Sequence, residues 1–289
     1  MQISIVVPFY YGNKYIENLC LTINKNVKYL KNHNAYCDVE CIIVNDSPNE
    51  RVTLPKIKLD FPIRIYTHER NSGIQKARVT GLNNSNGEYI IFLDQDDELL
   101  EDAIYQEIKN IGNADLLICN AYMEDKNGNL EKLYKTRGAL NNTTCLEAYI
   151  YGHNRIASPG QCLIKKIAIP IEWQQYNLEI NGSDDLFLWI LMFEKNNVVK
   201  TFDKVVYIHR YTGVNLSEDS NRMTVSTLSI VNILQNISYI DLKTIKKLKK
   251  DRYFSEQLYK KKGLDRIILT LKNVDVIFNR ARFKISSIF

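Results

Sequence analysis

The chain has 289 residues, of which 45% are hydrophobic and 25% charged, with six cysteines and a net charge of +5. That balance excludes a disordered, collagenous or disulfide-stapled chain and allows one or two globular domains with ample core. No apolar stretch approaches the ~18 residues of a membrane span, and the N-terminus passes straight into Ile3–Val7 without a basic flank, so no secretory leader is expected. The scattered Cys20, Cys37, Cys41, Cys119, Cys145 and Cys162 show no paired metal spacing and are expected to be reduced, mostly buried cytoplasmic thiols.

In chain order, residues 2–8 form an apolar run closed by Pro8, which has no N–H to donate, and predict a first buried strand. A loop at Phe9–Asn13 leads to a helix from Lys14 to about Leu30, with apolar residues at 16, 19, 23, 27 and 30. Strands follow at 39–44, ending in Asn45-Asp46, and at 63–66. The turn Asn71-Ser72-Gly73 opens a helix over 74–83. The run from Tyr89 to Leu93 predicts a buried, parallel strand, and it ends in Asp94-Gln95-Asp96-Asp97. A helix over 98–109, a strand over 115–121 and a hairpin about 125–129 come next. Further helices are expected at 144–151 and 184–194, strands at 160–164 and 198–207, and a helical tail from about 224. Strand and helix alternate through the first hundred residues, which predicts an α/β fold with a mostly parallel sheet.

The polar ends of strands one, two and four would open on one rim, where open α/β sheets bind ligands. Asp94 and Asp96 are two apart and would share a face, and paired hard oxygens suit Mn2+ or Mg2+ held together with substrate phosphates. The competing reading is an acidic loop that caps the following helix.

Four segments in order carry a family resemblance: Val7-Pro8-Phe9-Tyr10-Tyr11-Gly12-Asn13, Ile43-Val44-Asn45-Asp46-Ser47, Asn71-x-Gly73-x-x-x-Ala77-Arg78, and Phe92-Leu93-Asp94-Gln95-Asp96-Asp97. Their sequence resembles the successive motifs of the family 2 glycosyltransferases, inverting nucleotide-sugar-dependent enzymes with the GT-A fold. The resemblance is strong to about residue 125, fair to about 216 and absent beyond. It implies a GT-A domain over 1–220, with a nucleotide-sugar half at 1–97 and an acceptor half at 98–220, followed by a basic helical extension over 221–289.

The resemblance also implies roles. Pro8, Phe9, Tyr10, Asn45, Asp46, Lys76, Arg78, Asp94 and Gln95 would form the nucleotide-sugar side. Asp46 would accept from a uracil N–H, with Asn45 standing where the family has a further Asp. Tyr10 would stack on the base or merely cover it. Arg78 would meet the diphosphate or base edge, unless it is a solvated helix charge. Asp96 would ligate the Mn2+ or Mg2+, with Asp94 on the ribose or acting on the metal indirectly, and Asp97 as a supporting group or helix cap. The family's base is the Asp of a Glu-Asp pair at a helix start. Here Ser183-Asp184-Asp185 occupies that position, so Asp184 aligns with the base and Asp185 is the alternative, both being equally suited to plain helix capping. His209 would lie near the metal. Arg210 and Gln161 would lie on the acceptor side. The sequence offers no argument for a partner of His33, His68 or His153. No Gly-x-Gly-x-x-Gly, phosphate loop or nucleophile elbow points to other chemistry.

Residues 241–289 hold 14 Lys/Arg against 5 Asp/Glu, and 267, 271, 274 and 278 fit one apolar helical face. Such a tail either packs on the catalytic domain or touches an anionic membrane surface. Nucleic acid is not an expected partner, because no recognisable module accompanies the charge. The expected protein is a bacterial UDP-sugar glycosyltransferase with a glycan or lipid-linked acceptor, cytoplasmic and peripheral at the inner face of the cell membrane. A nucleotide-sugar-binding protein without transferase activity and a membrane-bound assembly scaffold remain the alternatives.

Overall fold

The computed structural model describes residues 1–152, 154–213 and 220–288, so His153 lies outside the described residues. The chain divides into two compact units. The first, built from residues 1–134, 156–170 and 197–213, contains every strand among the described residues. Its elements are β1 (Gln2–Phe9), α1 (Ile16–Asn32), β2 (Asp38–Asn45), β3 (Ile63–Thr67), α2 (Ile74–Asn83), β4 (Tyr89–Phe92), β5 (Glu98–Leu99), α3 (Ala103–Ile111), β6 (Leu116–Glu124), β7 (Leu130–Lys132), β8 (Cys162–Lys165) and β9 (Val199–His209). They form one nine-stranded sheet in the order β3-β2-β1-β4-β8-β6-β9-β5, with β7 paired to β6.

The N-terminal strands β3, β2, β1 and β4 are all parallel, as their unbroken apolar runs predict. β8 then enters antiparallel between β4 and β6, while β6 and β9 pair in parallel with a register shift near Asn120. From Ile3 to Phe9 the first strand is buried on both faces, because helices cover the sheet on each side. α2 lies on β1 closely enough that a Cβ at Gly81 would stand 2.2 Å from Val6 Cγ1. One core cluster joins Ile5, Val7, Leu19, Ile23, Ile43, Ile91, Leu117 and Leu163.

The segment expected to be a helix from 98 begins as a strand. Glu98 and Leu99 pair antiparallel with Ile208 and Tyr207, and α3 starts only at Ala103. Backbone pairing with β9 outweighs the helical propensity of Glu-Leu-Leu-Glu because it satisfies groups that would otherwise be buried unpaired.

The second unit, built from residues 135–155, 171–196 and the described part of 216–289, is helical. It holds α4 (Arg137–Asn141), α5 (Leu146–Gly152), α6 (Ile171–Gln175), α7 (Asp184–Glu194), α8 (Ser220–Leu234), α9 (Leu242–Lys260), α10 (Gly263–Lys272) and α11 (Val274–Ser286). α7 is apolar all round from Leu186 to Met192 and is correspondingly buried. No described helix is long and apolar enough to cross a membrane.

Candidate active site

In the sheet-bearing unit the ends of β1, β2 and β4 open on one rim and are tied to one another. Asp46 N–H donates to Phe9 O at 2.7 Å. Beyond Phe9, Tyr11 N–H donates to Ser47 Oγ at 3.0 Å. The Gln95 amide clamps the backbone of Tyr10 from both sides, accepting from its N–H at 2.8 Å and donating to its carbonyl at 3.1 Å. Pro8 and Phe9 therefore lie in the strand, while Tyr10 and Tyr11 hold their rings half exposed and edge to face with centroids 4.7 Å apart.

Asp46 is buried and accepts three hydrogen bonds. Ser72 N–H and the His68 ring reach Oδ1, each at 2.8 Å, and Gly73 N–H reaches Oδ2 at 2.8 Å. The carboxylate thereby satisfies N–H groups at the mouth of α2, which a helix start leaves without partners. Gly73 has φ +91°, a backbone conformation that glycine adopts without strain. Asn45 builds the neighbouring loop: its amide donates to Glu50 O and its oxygen accepts from the N–H and hydroxyl of Ser47. A groove of about 730 Å3 opens on the β3 side of Asn45, lined also by Arg51, Leu54, Ile65 and Thr67.

The three carboxylates of the turn after β4 have different surroundings. Asp94 accepts from Arg78 Nη2 at 2.6 Å and from Ser158 Oγ at 2.9 Å. Arg78 is buried and forms this ion pair, whereas Lys76 on the same helix is exposed. Asp97 is buried and accepts from the Tyr207 hydroxyl, from His209 Nδ1 at 3.0 Å and from Arg210 N–H at 2.7 Å. It is thus a supporting group; the helix cap expected of it is absent, since Asp102 precedes α3. Asp96 lies between them, and no other side chain hydrogen-bonds its carboxylate among the described residues. Burial, with Asp97 and Asp94 alongside, pushes the Asp96 carboxyl up to about 7. Burial would lower His209, but the hydrogen bond to Asp97 and the charges of Asp97, Asp94 and Asp96 lift it to about 9.

No cluster of three or more His, Cys, Asp and Glu able to hold a metal occurs among the described residues. A divalent ion here would need substrate oxygens as ligands too, which is how Mg2+ is ordinarily held. The turn fits that demand: Asp96 is a half-buried carboxylate between two others, a charge arrangement that a cation relieves. His209 sets Nδ1 on the buried Asp97 carboxylate, and ligation of a cation through its other nitrogen would require the proton held up to about 9 to leave.

Arg210 and Gln161 are structurally engaged. Arg210 pairs with Glu98 at 2.8 Å and with Glu124 at 2.9 Å. Gln161 is fully buried, accepting from Ala157 N–H and donating to Cys119 O and the Tyr134 oxygen. Asp184 and Asp185 belong to the helical unit and begin α7. Ser183 precedes them without capping the helix, its hydroxyl pairing with Thr227 at 3.0 Å. Asp185 accepts from Leu186 N–H at 2.7 Å and from the Asn154 amide. The carbonyl of Asp184 accepts from Trp173 Nε1 at 2.8 Å.

Two contributors escaped the sequence reading. His68, given no partner there, bridges Asp46 and Thr80, with Nε2 2.9 Å from Thr80 Oγ1. Ser158 holds Asp94. The usable signal for His68 was its place directly after β3, at the same rim as the other loops.

The family description Glycosyl transferase family 2 matches residues 4–169. The chain is similar to the poly(ribitol-phosphate) beta-N-acetylglucosaminyltransferase TarP of Staphylococcus aureus, at 30% identity over 78% of this chain and 66% of TarP. It is similar to the GalNAc(5)-diNAcBac-PP-undecaprenol beta-1,3-glucosyltransferase of Campylobacter jejuni, at 23% identity over 81% of this chain and 74% of that protein. Against the glycosyltransferase GlyA of Streptococcus pneumoniae the identity is 29% over 42% of this chain, which spans only 17% of GlyA. Among solved structures, S. aureus TarS 1–349 in complex with UDP-GlcNAc superposes with a TM-score of 0.64 at 19% identity, covering 96% of this chain and 81% of that one. The likeness establishes the GT-A fold.

Proposed function

The chain belongs to glycosyl transferase family 2, and on that premise we propose that it moves a sugar from a UDP-sugar donor to a hydroxyl of a surface-glycan or lipid-linked acceptor, with inversion. The observation that carries the reading is the turn after β4, where Asp94 and Asp97 are each held by fixed donors and Asp96 is presented between them. The name of the TarS complex adds a UDP-sugar ligand, and that of the Campylobacter relative a diphosphate-lipid-linked acceptor, for those proteins.

In this reading Asp96 and His209 would hold Mn2+ or Mg2+, and the ion, when bound, supplies Lewis-acid neutralisation of the departing diphosphate. The chain's own residues do the rest. Tyr10, fixed at its backbone by Gln95, offers an exposed ring for stacking on the uracil. Asp46 accepts the uracil N–H through a lone pair not used by Ser72, Gly73 and His68. Arg78 keeps Asp94 oriented toward the ribose and contributes positive charge near the phosphates. Asp184 takes the proton of the acceptor hydroxyl at its carboxylate, which raises the nucleophilicity of that oxygen as it attacks the sugar carbon. Asp185, whose two oxygens meet Leu186 N–H and the Asn154 amide, is the alternative base. Arg210 and Gln161 position the loops on the acceptor side. We further propose that the protein sits peripherally at the inner membrane face through its basic tail.

The test is Asp184→Asn, which keeps shape but cannot accept the proton. It should lower kcat by about 10²–10⁴ and leave UDP affinity unchanged. A variant that transfers at the wild-type rate would remove Asp184 from the role. Metal-dependent UDP binding by a wild-type protein that transfers to no acceptor would favour the binding-protein alternative, which the departures at Asn45 and Ser183 keep in view.

A further inference from the structure

A line of hydrogen bonds runs back from the Asp46 carboxylate at the end of β2, through the His68 ring just after β3, to the Thr80 hydroxyl on α2. His68 Nδ1 lies 2.8 Å from Asp46 Oδ1, and Nε2 lies 2.9 Å from Thr80 Oγ1. The backbone fixes where the ring starts. His68 N–H donates to Asn45 O at 2.9 Å, which continues the β2–β3 ladder one residue beyond Thr67. The ring is 14% exposed. A threonine inside a helix ordinarily returns its hydroxyl to the carbonyl one turn back. The Thr80 hydroxyl meets His68 instead.

The partners assign the tautomer. A carboxylate accepts, so Nδ1 carries the hydrogen and donates to Asp46. In the neutral ring Nε2 then accepts from the Thr80 hydroxyl. Thr80 thus holds the ring by its far nitrogen, and the ring holds Asp46 by its near one. Oδ1 of Asp46 is filled by His68 and Ser72 N–H, and Oδ2 receives Gly73 N–H. A carboxylate has about four lone-pair sites, so one on Oδ2 is left among the described residues, in a side chain nearly closed to water. Uracil offers an N–H at ring nitrogen N3, where cytosine has a lone pair. Against Oδ2 the first makes a hydrogen bond. The second sets two acceptors face to face and leaves both unpaired. Without the His68 bond the carboxyl group is freer to turn, and the lone pair loses its aim.

We propose that His68 and Thr80 are positioning residues of the nucleotide site, which aim the remaining lone pair of Asp46 and so make the site select a base with a ring N–H, uracil over cytosine. The inference rests on the UDP-sugar reading and adds to it the residues that choose the base. Both residues act through Asp46. They also tie that carboxylate to the helix whose Arg78 holds Asp94, so one element registers the base side and the carboxylate turn together.

The experiment compares UDP and CDP by calorimetry on the full chain at one Mn2+ concentration. The two ligands share ribose, diphosphate and ion, so the ratio of their dissociation constants reports the base alone. The wild type should prefer UDP by about tenfold or more. Two variants separate the two bonds of the ring, because a glutamine amide falls near the place of Nε2 and an asparagine amide near that of Nδ1. His68→Gln should cut the preference by about tenfold, and His68→Asn should restore most of it. Thr80→Val, which keeps the outline of threonine without its hydroxyl, should lower the preference in the same direction while the circular dichroism spectrum is retained. Loss of packing alone would weaken both nucleotides equally and leave the ratio where it was. A ratio unchanged in both His68→Gln and Thr80→Val overturns the proposal while the UDP site stands, and so does a wild type that binds CDP as tightly as UDP. A wild type that binds neither nucleotide removes the UDP reading itself, and this proposal with it.

Discussion

Three neighbouring acidic residues have three different fates at the turn after β4. Asp94 is spent on Arg78 and Ser158, Asp97 on Tyr207, His209 and Arg210, and the Asp96 carboxylate meets no other side chain's hydrogen bond among the described residues. The motif was legible in the sequence because an apolar strand running into carboxylates needs an explanation. The division of labour was not, since the partners lie 16 to 113 residues away and no local spacing encodes them. A second acidic residue is unusual for the opposite reason. Glu107 on α3 is fully buried, and neither of its oxygens has a hydrogen-bond partner among the described residues. Burial lifts its carboxyl from the ordinary 4.5 to about 8. The folded chain therefore holds a proton that the unfolded chain releases above its ordinary value. Stability falls as pH rises from about 4.5 to about 8 and the full penalty persists above that. Glu107→Gln should raise stability at pH 9 by on the order of 2–4 kcal/mol and flatten this pH dependence, as read by denaturant unfolding across pH. A variant whose unfolding curve tracks the wild type at every pH would contradict it. The signal was present in the sequence, because Glu107 falls on the same helical stripe as Ile104 and Ile111.

At the scale of elements, the parallel strands β1, β2, β3 and β4 and the helices α1 and α2 follow from apolar period and turn chemistry. The segment after Asp97 does not. Glu98 and Leu99 become a strand because β9, a hundred residues later, offers backbone partners, and Thr22 Oγ1 meets both the N–H and the carbonyl of Leu99. Such long-range pairing is invisible to a local window. The tail shows a second local failure. Positions 267, 271, 274 and 278 were expected on one helical face, but the helix breaks at Asn273, so two belong to α10 and two to α11. All four nevertheless remain exposed, between 56% and 68%. α9 and α11 meanwhile bury Leu248, Phe254, Val276 and Phe283, so deleting the tail would open the helical unit. Point changes are the better probe of membrane contact. Leu271→Asp with Phe278→Asp should cut co-sedimentation with phosphatidylglycerol vesicles about tenfold or more, each apolar side chain being worth about 1.5–3 kcal/mol when buried. Equal binding of the wild type to neutral and anionic vesicles would contradict the electrostatic part of the reading.

For the whole molecule, the strands gather in one unit and the later helices in another, and the chain passes between them several times. That weaving has no counterpart in composition or periodicity, which report neighbours along the chain and not those across it. The GT-A fold was legible because four short motifs fall in order at the ends of successive strands, each for a physical reason. Base, sugar and acceptor identity were not, because they depend on side chains brought together from distant segments. The central claim is that the rim of the sheet is a metal-assisted UDP-sugar site, and calorimetric titration of UDP, with and without Mn2+, against the wild type and Asp96→Ala tests it most directly. The account predicts that UDP binds, that it needs the ion, and that the substitution weakens binding by about tenfold or more. Failure of any nucleotide to bind, or UDP binding indifferent to both Mn2+ and Asp96→Ala, would contradict it.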